Sequence, residues 1–139
     1  MLDRWLKGYK YSNTRNYLRL PAPWPIRCRP LSGGSEKTQV TSVSDVSAGG
    51  VSLTVNEPLP VGSRLHVEIH VPPLNRSLHA EGSVVRCAST RTGNRFELGI
   101  RFDRIDPLER IALNDAVERF YSPRDLAHQH GRIWRRRLP

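Results

Sequence analysis

Leu65-His66-Val67-Glu68-Ile69-His70-Val71 alternates apolar and polar residues without a break. That is the period-two pattern of a strand with one buried and one wet face. Shorter runs of the same kind flank it. Ile26 and Cys28 alternate with Arg27 and Arg29, downstream of Pro21, Pro23 and Pro25, which forbid a helix and favour extended chain. Residues 38–44 are rich in β-branched side chains, 51–55 alternate cleanly, 78–87 form a longer run with Gly82 as a bulge or close approach, and 96–102 complete the set. Turn signals separate the runs at Ser32-Gly33-Gly34-Ser35, at Ser47 to Gly50, at Pro58 with Pro60-Val61-Gly62, at Pro72-Pro73 and at Thr92-Gly93-Asn94. Strands roughly 10–15 residues apart, with no helices between them, predict an antiparallel barrel or sandwich, not alternating β and α units.

The periodicity changes after the sixth run. Asp106-Pro107 reads as an N-cap followed by proline at the first helical position, and Glu109 stands where a capping box places its acid. Leu108, Ile111, Ala112, Val117 and Phe120 carry helical spacing through Tyr121, and Ser122-Pro123 stops it. The predicted architecture is a mainly β fold: six antiparallel strands in a barrel, closed at one end by a C-terminal amphipathic helix. Residues 1–14 read as a basic, aromatic-bearing arm, with Leu2, Trp5 and Leu6 at the spacing of a short helix, and 122–139 as a basic tail. The domain proper spans 15–121.

Charge narrows the range of partners. The 139 residues hold 22 Lys+Arg against 13 Asp+Glu, a formal net charge of +9. That balance suits nucleic acid, nucleotides, acidic protein faces or anionic lipid. Lys7, Lys10 and Lys37 are the only lysines, and the rest are arginines, which fork onto phosphate and guanine edges; a GC-rich genome explains the same bias. Cys28 and Cys87 lie far apart with no CxxC or Cys/His ligand spacing, so they read as small side chains in a reducing compartment and not as a metal site. No apolar run approaches the roughly 20 residues of a membrane span, and there is no signal-peptide core, so the expected location is the cytoplasm. His66 and His70, with Glu68 between them, read as a solvated strand face lacking a third ligand. No nucleophile elbow or oriented triad spacing is present, so an enzyme is not expected.

Two short stretches carry the candidate chemistry. In Arg15-Asn16-Tyr17-Leu18-Arg19 the arginines stand four apart and, in extended chain, project to the same side. In Asp45-Val46-Ser47-Ala48-Gly49-Gly50 the carboxylate of Asp45 offers two acceptors that match the N1–H and N2–H₂ donors of guanine. Ser47 can donate to a phosphate oxygen, and the glycines permit positive φ and exposed backbone N–H groups. Ordinary turn chemistry, with Asp45 and Ser47 bonded to nearby backbone, is the alternative for the second stretch; solvated charge is the alternative for the first.

RxxxR followed by DxSxxG resembles the PilZ domain family of bacterial cyclic di-GMP receptors. The similarity extends from about Arg15 to Tyr121 and takes in the proline-bearing first strand, the Pro58-Leu59-Pro60-Val61-Gly62-Ser63 turn, Glu81 to Arg86, and Leu98-Gly99-Ile100-Arg101-Phe102. The resemblance implies a six-stranded barrel with a C-terminal helix. It also implies that Arg15 and Arg19 clamp guanine edges and phosphates, that Asp45 reads a guanine edge and Ser47 a phosphate, and that Gly50 keeps the loop close to the ligand. The implied function is a non-catalytic receptor, with cyclic di-GMP as ligand, no cofactor, and a protein effector reached through ligand-induced ordering of the Arg15 to Arg19 RxxxR arm. Two other expectations stand beside it: an adaptor of the same fold that works without ligand, and a basic barrel that binds nucleic acid through its tail and N-terminal aromatics. The scarcity of strand aromatics counts against nucleic acid.

Overall fold

The computed structural model describes residues 17–31 and 37–120. The strands are β1 (Pro25–Pro30), β2 (Gln39–Ser47), β3 (Gly50–Val55), β4 (Arg64–Val71), β5 (Arg76–Ser89) and β6 (Phe96–Ile105), followed by the helix α1 (Pro107–Arg119). All pairings are antiparallel, in the order β1-β2-β3-β6-β5-β4, and β4 pairs back onto β1 to close the barrel. The expected fold is therefore observed, including the C-terminal helix.

Period-two alternation puts one apolar set inside. Ile26, Cys28, Val43, Val46, Val51, Leu53, Leu65, Val67, Ile69, Val71, Leu78, Val84, Leu98 and Ile100 are buried in one cluster. The segment leading into β1 joins it with Leu20, Ala22 and Trp24, while Pro21 and Pro23, which lack an N–H to offer a neighbouring strand, face outward. A bridge ties that segment to β2: Leu20 N–H donates to the Val46 carbonyl at 2.7 Å and Val46 N–H to the Leu20 carbonyl at 3.0 Å.

Several bounds differ from the sequence pattern, and β6 runs three residues further, to Ile105. β2 continues through Asp45 and Ser47, so the connection to β3 is only Ala48-Gly49, and both polar motif residues stand on a strand. β5 runs on to Ser89, and Pro72–Leu74 forms a 3₁₀ turn rather than a plain strand end. Two of the three register shifts were also unforeseen: between Val43 and Asp45, and between Val84 and Arg86; the third, at Glu81/Gly82, is the expected bulge.

α1 starts as expected, with Leu108 N–H donating to Asp106 Oδ1 at 2.8 Å and Pro107 in the first turn. Its buried face agrees with the expected set only at Val117. Leu113, Ala116 and Val117 face the barrel, whereas Leu108, Ile111 and Phe120 are exposed. The helix meets the barrel mainly through its second half, so the i, i+3, i+4 set that counts is 113, 116, 117. Glu109 accepts from Arg76 Nη1 at 2.8 Å, a tether between α1 and the start of β5 in place of the reciprocal capping contact. Tyr121, the arm 1–14 and the tail 122–139 lie outside the described residues. Among the described residues no helix is long and apolar enough to cross a membrane, and no three of His, Cys, Asp or Glu form a metal cluster. His66 instead meets His79 across the sheet, Nε2 to Nδ1 at 3.2 Å.

Two outcomes check this packing. Leu65→Ala, at a fully buried position, is expected to cost about 2–5 kcal/mol in urea unfolding. Burial pushes the Cys28 thiol up to about 12, so native protein at neutral pH is expected to alkylate at the half-buried Cys87 alone and to take a second equivalent only on unfolding.

Candidate functional site

The Leu20–Val46 bridge dictates where the neighbouring side chains meet. Arg19 precedes Leu20 and Asp45 precedes Val46, so a guanidinium and a carboxylate are delivered to the same outer edge of the barrel. Arg19 Nη2 donates to Asp45 Oδ1 at 2.6 Å, and Nε donates to the same oxygen at 3.1 Å. Nη2 also donates to Ser52 Oγ at 2.8 Å. The pair is partly shielded, with side chains 25% and 31% exposed, which places it above a freely solvated surface pair in strength. Sequence reasoning missed Ser52. It is an ordinary serine on the outer face of β3, and only the pairing Asp45↔Ser52 marks it.

Ser47 behaves as the turn alternative anticipated. Gly49 N–H donates to its Oγ at 3.0 Å, and that hydroxyl reaches the Gly50 carbonyl at 3.4 Å. The glycines serve a purpose other than the expected positive φ, which among the described glycines occurs at Gly62 and Gly93. A Cβ on Gly50 would be driven into the Ile100 carbonyl and stand 3.2 Å from Arg101 Cα, so here the requirement is the close approach of β6. A Cβ on Gly49 would stand 3.2 Å from Tyr17 Cδ2. The Tyr17 ring rests on that turn, with the Arg110 guanidinium 5.7 Å from its centroid. Arg110 Nη1 also donates to the Ala48 carbonyl at 3.1 Å, fixing the hairpin tip to α1.

These groups border an open cleft of about 630 Å³ whose floor is the outer face of β3, β6 and β5. Tyr17, Arg19, Ser47, Gly49 and Gly50 line it, together with Arg86, Arg101 and Arg110. Arg101 is aimed by Asp103, which accepts from its Nε at 3.0 Å and from the Ser83 hydroxyl. The Ser83 hydrogen bond, and then Arg101, hold the Asp103 carboxyl below its usual range. The structure thus brings Arg19, Asp45, Ser47 and Gly50 to one place. Asp45 is directed to Arg19 through Oδ1, and Arg15 lies outside the described residues. Four arginines beside two hydroxyls and a backbone turn make a cleft for an anion with several acceptor oxygens and a flat, polar-edged ring.

Comparison with known proteins agrees with the topology. A search of curated proteins returns no match. Among solved structures, the Bacillus subtilis inhibitor of motility, MotI/DgrA, is similar with a TM-score of 0.68 at 22% identity, over 77% of this chain and 51% of that one. The chain thus spans about half the length of that relative. The PilZ domain of YcgR from Escherichia coli, determined with c-di-GMP, matches with a TM-score of 0.57 at 18% identity, over 84% of this chain and 97% of that one. YcgR in complex with c-di-GMP matches with a TM-score of 0.62 at 20% identity, over 88% and 51%. At these identities the likeness establishes the fold. The family model for the PilZ domain matches residues 13–119, which takes in both motifs, all six strands and the helix: this chain belongs to the PilZ domain family.

Proposed function

We propose that this chain is a cytoplasmic, non-catalytic receptor for cyclic di-GMP that passes its state to a protein effector. The observation that carries this reading is the Arg19 clamp. One guanidinium, oriented by Asp45 and Ser52, stands at the mouth of a cleft that three further arginines line. Two phosphates and two guanines match that donor set, since arginine forks onto phosphate oxygens and onto the O6/N7 edge of guanine. The cyclic di-GMP held by YcgR supports the same ligand for this chain.

Each residue then has a part. Arg19, joined by Arg15 of the RxxxR arm, grips the ligand from one side. Asp45 keeps Arg19 aimed through Oδ1 and offers Oδ2 to a guanine N–H edge. Ser47 and the hairpin amides face the phosphates, and Gly50 keeps β3 close to β6 beneath them. Tyr17 belongs to the same arm and already rests between Gly49 and Arg110. A ligand that draws on Arg19 therefore also bears on Tyr17 and, through Arg110, on α1. That linkage is the route by which occupancy alters the surface offered to an effector.

Calorimetric titration tests the reading, with GTP and cyclic di-AMP as controls. Cyclic di-GMP alone is expected to bind, at micromolar affinity or tighter, and Arg19→Ala is expected to weaken it at least about 30-fold, the loss of about 2 kcal/mol for one member of a charged hydrogen-bonded pair. Unchanged affinity in that variant removes Arg19 from the site. Asp45→Ala is expected to weaken cyclic di-GMP binding while thermal unfolding stays cooperative. Loss of the fold would assign Asp45 to holding the hairpin instead.

A further inference from the structure

The far wall of the cleft belongs to neither sequence motif. Strand register sets Asp45, Ser52, Gly99 and Arg86 in one row across β2, β3, β6 and β5. Neighbouring strands run about 4.8 Å apart, so Arg86 stands about 10 Å from Ser52, across the floor from the Arg19 clamp. Gly99 lies between them, and the Arg86 side chain lies along it. A Cβ on Gly99 would stand 3.4 Å from both Cβ and Nε of Arg86 and 3.5 Å from its Nη2. A bare backbone there lets the guanidinium settle against the sheet.

Arg86 reaches this face through a break in the alternation. Val84 points into the core, and in a regular strand the residue two positions on would follow it. The register shift between Val84 and Arg86 inserts Val85 as an extra residue and turns Arg86 outward. Arg86 is also the least engaged arginine of the cleft. Arg19 holds Asp45 and Ser52, Arg101 holds Asp103, and Arg110 holds the Ala48 carbonyl. The nearest carboxylate oxygen to Arg86 belongs to Glu97 at 3.6 Å, in a pair whose side chains are 50% and 57% exposed. Such a pair yields readily to a ligand.

We propose that Arg86, laid along Gly99, is the base-holding residue of the cleft: its guanidinium stacks on a purine ring of the ligand while Arg19 clamps the opposite end. The inference rests on the cyclic di-GMP reading and specifies where one of its bases goes. A planar guanidinium gives a stacking surface that an ammonium does not, so the lysine variant separates stacking from simple charge attraction.

The test is cyclic di-GMP titration of full-length wild type, Arg86→Lys, Arg86→Ala, Gly99→Ala and the Arg86→Ala/Gly99→Ala double variant, each checked for cooperative thermal unfolding. Both Arg86 variants are expected to bind at least about fivefold more weakly than wild type. Gly99→Ala, which crowds the guanidinium off the floor, is expected to weaken binding in the wild-type background and to have no effect once Arg86 is alanine. Affinity within fivefold of wild type for Arg86→Lys overturns the stacking assignment. An equal loss from Gly99→Ala in both backgrounds overturns the Arg86–Gly99 coupling. No binding by wild type overturns the receptor reading itself, an outcome distinct from either.

Discussion

Closure of the sheet between β1 and β4 is the constraint on which the rest depends. Once Ile26 pairs with Ile69 and Cys28 with Val67, there is no free edge through which the register can drift, and every strand must present its apolar set to one small interior. Whatever is left over faces outward in fixed rows. The candidate site is built from those rows, from the segment that crosses them, and from the β2–β3 turn with Arg110 of α1 beside it. Its geometry is thus inherited from the core: Arg19 meets Asp45 because Leu20 and Val46 are bonded in the layer beneath.

This arrangement separates two jobs that one sequence has to do. Inward positions supply stability by burying aliphatic side chains, and outward positions on β2, β3, β6 and β5 are released for chemistry. The glycines mark where the two jobs touch. Gly50 is small because the Ile100 carbonyl lies against it, and Gly99 because the Arg86 side chain does. The first is a requirement of the fold, the second of the outer surface. Most residues of the cleft therefore sit on strands, where their positions are defined by a ladder of backbone hydrogen bonds; Tyr17 and Arg19 come from the segment before β1, Gly49 from the hairpin turn and Arg110 from α1.

The barrel was legible because its signal is redundant. Six alternating runs, each bounded by turn residues, agree with one another, and an error at one end of a strand does not change the inward set. The helix was half legible. Asp106 and Pro107 fix where it begins by local chemistry, but its buried face depends on how it leans on the barrel, and Leu108, Ile111 and Phe120 have the right character without the right neighbours. In the site, Arg19, Asp45, Ser47 and Gly50 could be found because they form a local pattern of fixed spacing. Ser52, Arg86 and Arg110 could not. They are single polar residues in an arginine-rich chain, and they gain meaning only from cross-strand register and helix placement. The two unforeseen bulges are hidden for the same reason, since an extra residue simply blurs a period of two.

The outside of a closed barrel is convex, so a hollow on it has to be carved. Here it is carved by subtraction: two glycines remove relief from the floor, and a bulged strand on either side, at Ser44 and at Val85, bends and twists the walls around it. Concavity is thus a surface property, laid over a core that would close equally well beneath a filled position 99. Two barrels of this family can superimpose strand for strand and still differ in whether they have anywhere to receive a ligand.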